Sequence, residues 1–217
     1  MERFFILDKF NTWYDWRAIL TGKSIPDPEP KTNYVEIDGM DGSLDLSEAL
    51  TGEVVYNDRT LEASFLIDSG TVKDRATLLR QITTALHGKK VQIIEPDDLD
   101  HYFTGRVKIK TYSNTLPYLE FTLEATCDPW RYALEETVRS IDVTGDPMDI
   151  VIRNSGVKSV CPTIAVTGAV TLAFNGSKIE LTEGVYKVPS LKFKQGFSVV
   201  NVSGEGSVTF TYREATL

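Results

Sequence analysis

The stretch VKIKTYSNTLPYLEFTLEA, residues 107–125, decides how this sequence is read. Side chains at every second position share a character on both sides of SNTLP at 113–117. Phe103, Val107, Ile109 and Thr111 make one face before it, and Leu119, Phe121, Leu123 and Ala125 make one after it. Successive side chains of a strand point to opposite faces, so each run offers one face to a core and one to water. Ser, Asn and Pro between the runs are turn formers. Centring a hairpin on Thr115 sets Ile109 opposite Phe121 and Val107 opposite Leu123. The same register sets Lys110 opposite Glu120 and Arg106 opposite Glu124, each charge pair worth about 0.2–1 kcal/mol. A slip by one residue would put Phe121 and Leu123 among the lysines. An antiparallel hairpin is predicted.

The pattern extends upstream, where Leu61, Ala63, Phe65 and Ile67 alternate in the same way. Between these runs, TVKDRATLLRQITTALHG changes period. Thr71 caps a first turn with Asp74 three residues on, a variant of the capping box. Val72, Ala76, Leu79, Ile82 and Leu86 then recur at spacings of three and four, one apolar stripe of a helix over about 71–87. Gly88 stops it, and Lys89 and Lys90 stand where the helix dipole favours cations. Further upstream, VEIDGMDGSLDLSEAL at 35–50 is rich in acids and glycines. A calcium loop of the EF-hand type needs oxygen ligands at positions 1, 3 and 5, glycine at 6 and glutamate at 12. No register starting at Glu36, Asp38 or Asp41 supplies them, and the stretch reads as a strand running into turns.

Downstream, TCDPWRYALEE at 126–136 holds a proline and an aromatic pair suited to closing a core, which marks a boundary. Beyond it Asn175-Gly176 signals a tight hairpin between VTLAF and SKIEL. Further strands are expected at 148–153, 163–167, 197–202 and 207–213. The chain is predicted to be mainly β: an N-terminal α+β domain with one helix over 1–132, and a C-terminal β-sandwich over 133–217.

Charge and composition narrow the function. The 217 residues carry a net charge of −8. Residues 1–136 hold 15 Lys/Arg against 24 Asp/Glu, and 137–217 hold 8 against 7. Readers of nucleic acid concentrate basic charge, so sequence-specific DNA or RNA binding is not expected. No apolar run approaches the ~18 residues of a membrane span, so no membrane insertion is expected. The N-terminus, with Asp8 and Asp15 among its apolar residues, lacks the layout of a signal peptide, and synthesis in the cytosol is expected.

Cys127 and Cys161 have no metal-ligand spacing, nor do His87 and His101, so free thiols and no cofactor or metal are expected. The acidic EPDDLD at 95–100 is the one stretch that offers paired carboxylates, but it lies between two predicted strands and reads as a turn. No G-x-S-x-G, H-E-x-x-H or phosphate loop occurs, and GEGSVTF at 204–210 leads into a strand and not a helix. No enzyme is predicted.

The order of these segments carries a resemblance. A strand ending in Asp-Gly is followed by YNDRTLEASF at 56–65, the capped helix running into LHGKKVQIIEPDD at 86–98, YFTGRV at 102–107, FTLEATCDPWRY at 121–132 and a terminal VTFTYREATL. The succession resembles the distal tail proteins of long, non-contractile-tailed (siphovirus-like) phages of Gram-positive bacteria. That resemblance implies an N-terminal domain of which six copies close into a ring, and a galectin-like C-terminal sandwich projecting outward. Such rings sit in the virion at the tail tip, or baseplate, after assembly in the host cytoplasm. They join the tail tube protein to the tail hub, often anchor the receptor-binding protein used in host attachment, and leave a channel for DNA ejection.

Three expectations follow. Strand edges of the first domain would be sealed by neighbouring copies. Acids facing the channel would repel DNA phosphates, unless the acidity is only a solvated surface. The aromatic FFILDKFNTWYDW either packs in the core or reaches a neighbouring subunit or the hub, with Trp13, Tyr14 and Trp16 as contact residues. A glycan-binding module is the alternative function, but Trp13, Trp16, Trp130 and both histidines precede the sandwich. Tyr186, Phe193, Phe197 and Tyr212 remain there, as sugar platforms or as core.

Overall fold

Period-two alternation becomes sheet in both halves of the chain. The computed structural model describes residues 4–217, which separate into two units, one ending at Trp130 and the other spanning Arg131–Thr216.

The first unit contains β1 (Ile6–Leu7), β2 (Phe10–Asn11), β3 (Ile19–Ser24), β4 (Tyr34–Glu36), β5 (Ser43–Asp45), β6 (Arg59–Ile67), α1 (Val72–Leu86), β7 (Lys90–Glu95), β8 (Asp98–Asn114) and β9 (Leu119–Cys127). The main sheet runs β2-β1-β7-β8-β9-β6-β3, antiparallel throughout. Leu61, Ala63, Phe65 and Ile67 of β6 are buried, as are Leu119, Phe121, Leu123 and Ala125 of β9. Phe65 stacks on Phe121 at 5.3 Å and meets Phe5 edge-on at 6.1 Å. Phe5 and Leu7, from the other end of the sheet, line the same interior as Leu61 and Ala63, so the sheet curls over its own core. Each large side chain buried this way contributes about 1.5–3 kcal/mol.

The helix begins where the capping box predicts. Thr71 Oγ1 accepts the Asp74 N–H at 3.2 Å, and Asp74 Oδ2 accepts the Thr71 N–H at 3.0 Å. Gly88 follows the cap residue His87 with φ +78°, and Lys89 Nζ donates to the Thr84 carbonyl at 3.0 Å. The buried stripe is Arg75, Leu79, Ile82 and Leu86; Val72, expected in it, is exposed. Arg75 is the surprise. Its guanidinium donates to the carbonyls of Gly70 (2.9 Å), Thr115 (3.1 Å) and Pro117 (3.0 Å) and to Asn114 Oδ1 (3.2 Å).

The hairpin forms, with its register displaced from the prediction. Lys108 faces Glu124 and Ile109 faces Leu123; beyond an irregularity at Lys110, Tyr112 faces Phe121 and Asn114 faces Leu119. The reason lies in the turn. The Thr115 N–H donates to the Tyr118 carbonyl, which moves the centre of the loop past Thr115, and the extra residue at 110 shifts the first half again. Up to Ile109 the displacement is two residues, an even step, so Val107 keeps its core face. Past the bulge it is three, an odd step, and Thr111, expected on that face, is exposed opposite Thr122. The charge pairs change: Glu124 answers Lys108, and Arg106 lies opposite Thr126.

The second unit contains β10 (Arg131–Ala133), β11 (Thr137–Asn154), β12 (Thr163–Phe174), β13 (Ser177–Leu181), β14 (Gly184–Lys187), β15 (Gly196–Tyr212) and β16 (Ala215–Thr216). Its sheet runs β11-β15-β12-β13, with β14 also on β12, and outside that sheet β16 pairs with β10. Asn175 (φ 49°) and Gly176 (φ 79°) form the expected tight hairpin. The separate strands expected at 148–153, 163–167, 197–202 and 207–213 are instead parts of long continuous strands. Glycines join them. Gly145 pairs with Gly204 and Gly168 with Gly206, all four at positive φ, so neighbouring strands bend at one level. Val200 and Val202 before the bend then share a core with Val208 and Phe210 after it. Buried Asn154 donates to the carbonyls of Lys158 (2.9 Å) and Phe193 (3.0 Å) and accepts from the Gly156 N–H.

Candidate assembly surfaces

Strands β3 and β6 are neighbours in the sheet, yet the chain between them takes 34 residues, 25–58, to connect them. Its base is tied: the Lys31 N–H donates to the Val55 carbonyl at 2.7 Å and the Asn57 N–H to the Glu29 carbonyl at 2.8 Å. Every residue from 29 to 46 is exposed. The outer part is the two-stranded hairpin β4–β5, turned through Gly39 (φ 82°) and Gly42 (φ 76°). The acid-rich stretch 35–50 is this projecting arm. Ser47 donates to Asp45 through both its N–H and its hydroxyl, which holds the Asp45 carboxyl below its ordinary range.

Two features set the arm apart from the rest of the first unit. It leaves Tyr34 (60% exposed), Ile37, Met40, Leu44 and Leu50 (100%) in solvent. A hairpin with so few strand pairs and its apolar side chains in water is marginal by itself. With its base, the whole 25–58 connection carries nine Asp/Glu against one lysine, so it accounts for nearly the whole acidic excess of residues 1–136.

The aromatic N-terminal segment is folded in, and its three tryptophan and tyrosine side chains part company. Trp16 is buried and stacks on Phe10 at 5.6 Å. Trp13 is half-buried, with the Arg17 guanidinium 5.5 Å from its ring. Tyr14 is 67% exposed. Asn11 Oδ1 accepts the N–H groups of Trp13 and Tyr14, both at 3.0 Å, and Thr12 Oγ1 accepts the Phe5 N–H at 3.0 Å. These bonds hold residues 11–16 as a tight turn. Of the three expected contact residues, Tyr14 presents its ring to solvent.

The acids considered for chemistry are engaged structurally. Glu95 is buried and ion-paired with Lys23, which also meets Asp97 at 2.8 Å. Burial opposes charge on Lys23, but the hydrogen bonds it donates to Asp97 and Glu95 outweigh it and raise its pKa. Pro96-Asp97 is the turn of the β7–β8 hairpin, as expected. On the outer face of the sheet, Lys110 bridges Glu62 (2.5 Å) and Glu124 (3.1 Å), and Lys108 meets Glu124 at 2.6 Å. Hydrogen bonds from Lys108 and Lys110 hold the Glu124 carboxyl below its ordinary range. Cys127 and Cys161 are free, and burial pushes the Cys127 thiol up to about 12. Among the described residues no group of three His, Cys, Asp or Glu is arranged to hold a metal ion.

In the second unit Phe193 and Tyr212 are core, Tyr186 is half-buried, and Phe197 is 74% exposed with the Arg153 guanidinium 6.0 Å from its ring.

No family model matches the sequence, and no curated protein sequence matches it. Among solved structures, the chain is similar to the Dit protein of phage SPP1, described as a paradigm of the hub adsorption apparatus in phages that infect Gram-positive bacteria. The similarity covers 99% of each chain with a TM-score of 0.72 at 16% sequence identity. The fold is therefore the one the order of motifs pointed to.

Proposed function

We propose that this chain is a structural protein of a phage tail tip, six copies of which close into a ring. The ring joins the tail tube protein above to the tail hub below, supports the receptor-binding apparatus and leaves a central channel for DNA. The observation that carries this reading is the full-length likeness to a hub protein of an adsorption apparatus. The projecting arm supports it independently, because a hairpin with exposed Ile37, Met40 and Leu44 is an element in want of a partner. In this reading the first unit makes the ring, and assembly itself is the activity. Negative-stain images with a light-scattering mass test it. Six-fold rings are expected, and a chain that stays monomeric at high concentration, alone and with tail tube protein, would overturn it.

A second reading rests on Phe197, which stands in solvent beside Arg153 while Asn201 donates to Asp149 at 2.8 Å on the same strand pair. An exposed ring flanked by planar polar groups suits a host wall glycan, so the second unit would add sugar recognition to the ring. Titration with wall polysaccharide, read against Phe197→Ala, separates the two readings.

A further inference from the structure

We infer that the acidic arm of one copy docks on the basic outer face of α1 in the next copy. This deepens the ring reading and rests on it: it names both halves of one contact between copies.

The donor half is the arm tip. Ile37-Asp38-Gly39-Met40-Asp41 alternates apolar and acidic side chains, and Ile37 (45%) and Met40 (46%) are exposed alongside the acids. From the tied base at Lys31 to the tip, about eight extended residues reach on the order of 25 Å, enough to pass beyond the copy that carries them.

The receiving half is built by helical spacing. Lys73, Thr77, Arg80, Gln81 and Thr84 lie on one exposed face of α1, opposite the stripe that meets the core. Thr77, Arg80, Gln81, Thr84, Ala85 and Lys89 line an open groove of ≈ 510 Å³. The short Thr and Ala side chains leave the floor shallow, and the alkyl stems of Arg80 and Lys89 supply apolar walls beneath their charges. Asp74, the acid nearest this face, is held in the capping box. Among the described residues Lys73, Arg80 and Lys89 form no ion pair: the contacts of Arg80 and Lys89 are with Thr77 Oγ1 and the Thr84 carbonyl.

The two halves complement each other. A tip with two carboxylates and two apolar side chains meets a groove with two cations and an apolar floor. The arm's strong net charge would steer encounter at low ionic strength, and that attraction weakens as salt rises. Other occupants fit less well, since an acidic arm repels phosphates and anionic surfaces, and residues 29–46 are exposed on their own copy.

Charge reversal tests this in the full-length protein. One variant carries Asp38→Lys and Asp41→Lys, the other Arg80→Glu and Lys89→Glu. All four sites are exposed, so melting temperatures should stay near wild type. Self-association, followed by analytical ultracentrifugation, should weaken at least tenfold in each variant, and raising salt should weaken the wild type likewise. Mixing the two variants should restore mixed assemblies, because reversed arm then meets reversed helix. A wild type that assembles while the helix variant assembles equally well would overturn the docking and leave the ring standing. Failure of the mixture to recover would also overturn the docking. A wild type that never assembles would overturn the ring reading itself.

Discussion

Arg75 and Gly206 show how single residues hold this fold. Arg75 sits on the core side of α1, where helical spacing asks for an apolar residue. It survives there because three oxygens of the 114–117 turn and the Gly70 carbonyl accept its hydrogens. Hydrogen bonds to a charged group are worth about 1.5–3 kcal/mol, and losing the donor strands the acceptors. Arg75→Ala should therefore lower unfolding free energy by on the order of 3 kcal/mol in urea titration. Gly206 is constrained by backbone. At φ 136°, a Cβ would stand 1.8 Å from the Thr167 carbonyl oxygen. Gly206→Ala should cost about 3 kcal/mol, read in the same titration, because both the dihedral and the neighbouring strand resist it. Neither role was legible in the sequence. An arginine in a helix and a glycine in a strand each read locally as an exception, and only the packed neighbour explains them.

Elements behave more predictably where their two faces differ. The hairpin β8–β9 was recognisable from alternation alone, since an even displacement of register up to Ile109 keeps Val107, Leu123 and Ala125 inside. Only Thr111, past the bulge, leaves the face expected of it. The hairpin's charges were not legible, because the displaced register and the bulge at Lys110 give Glu124 to Lys108 and Lys110, where Arg106 was expected. That cluster gives a pH dependence. The folded carboxyl of Glu124 is held low by Lys108 and Lys110, so its stabilisation is fully present above the ordinary carboxylate range. It is lost as pH falls through the lowered folded value. Glu124→Gln should reduce stability at neutral pH and flatten the acid side of the stability profile, measured by thermal melts across pH 2 to 7, a span on the order of five units around that range. The arm is the opposite kind of element, with no buried face of its own. Replacing residues 33–46 by a short Gly-Ser loop should leave the melting temperature within a few degrees of wild type, since no core residue lies there. The same replacement should abolish ring formation in negative stain.

At the scale of the molecule, two cores are built from separate stretches of chain. Each unit encloses its own aromatic centre, Phe5, Phe65 and Phe121 in one and Phe174, Phe193 and Phe210 in the other. A unit with its own core is expected to fold alone. Residues 131–216 should therefore give a dispersed amide spectrum and a cooperative melt when produced separately.

The sequence by itself determined the β-rich class, the helix with its capping box, the tight turn at Asn175-Gly176 and the order of segments that resembles a tail-tip protein. Those follow from local periodicity and turn chemistry, which neighbours along the chain enforce. Only the tertiary structure decided that four glycines bend long strands where breaks were expected, that Arg75 belongs inside, and that the acid-rich stretch is a projecting arm. Each of these depends on what lies across space from a residue, and no spacing along the chain records that distance.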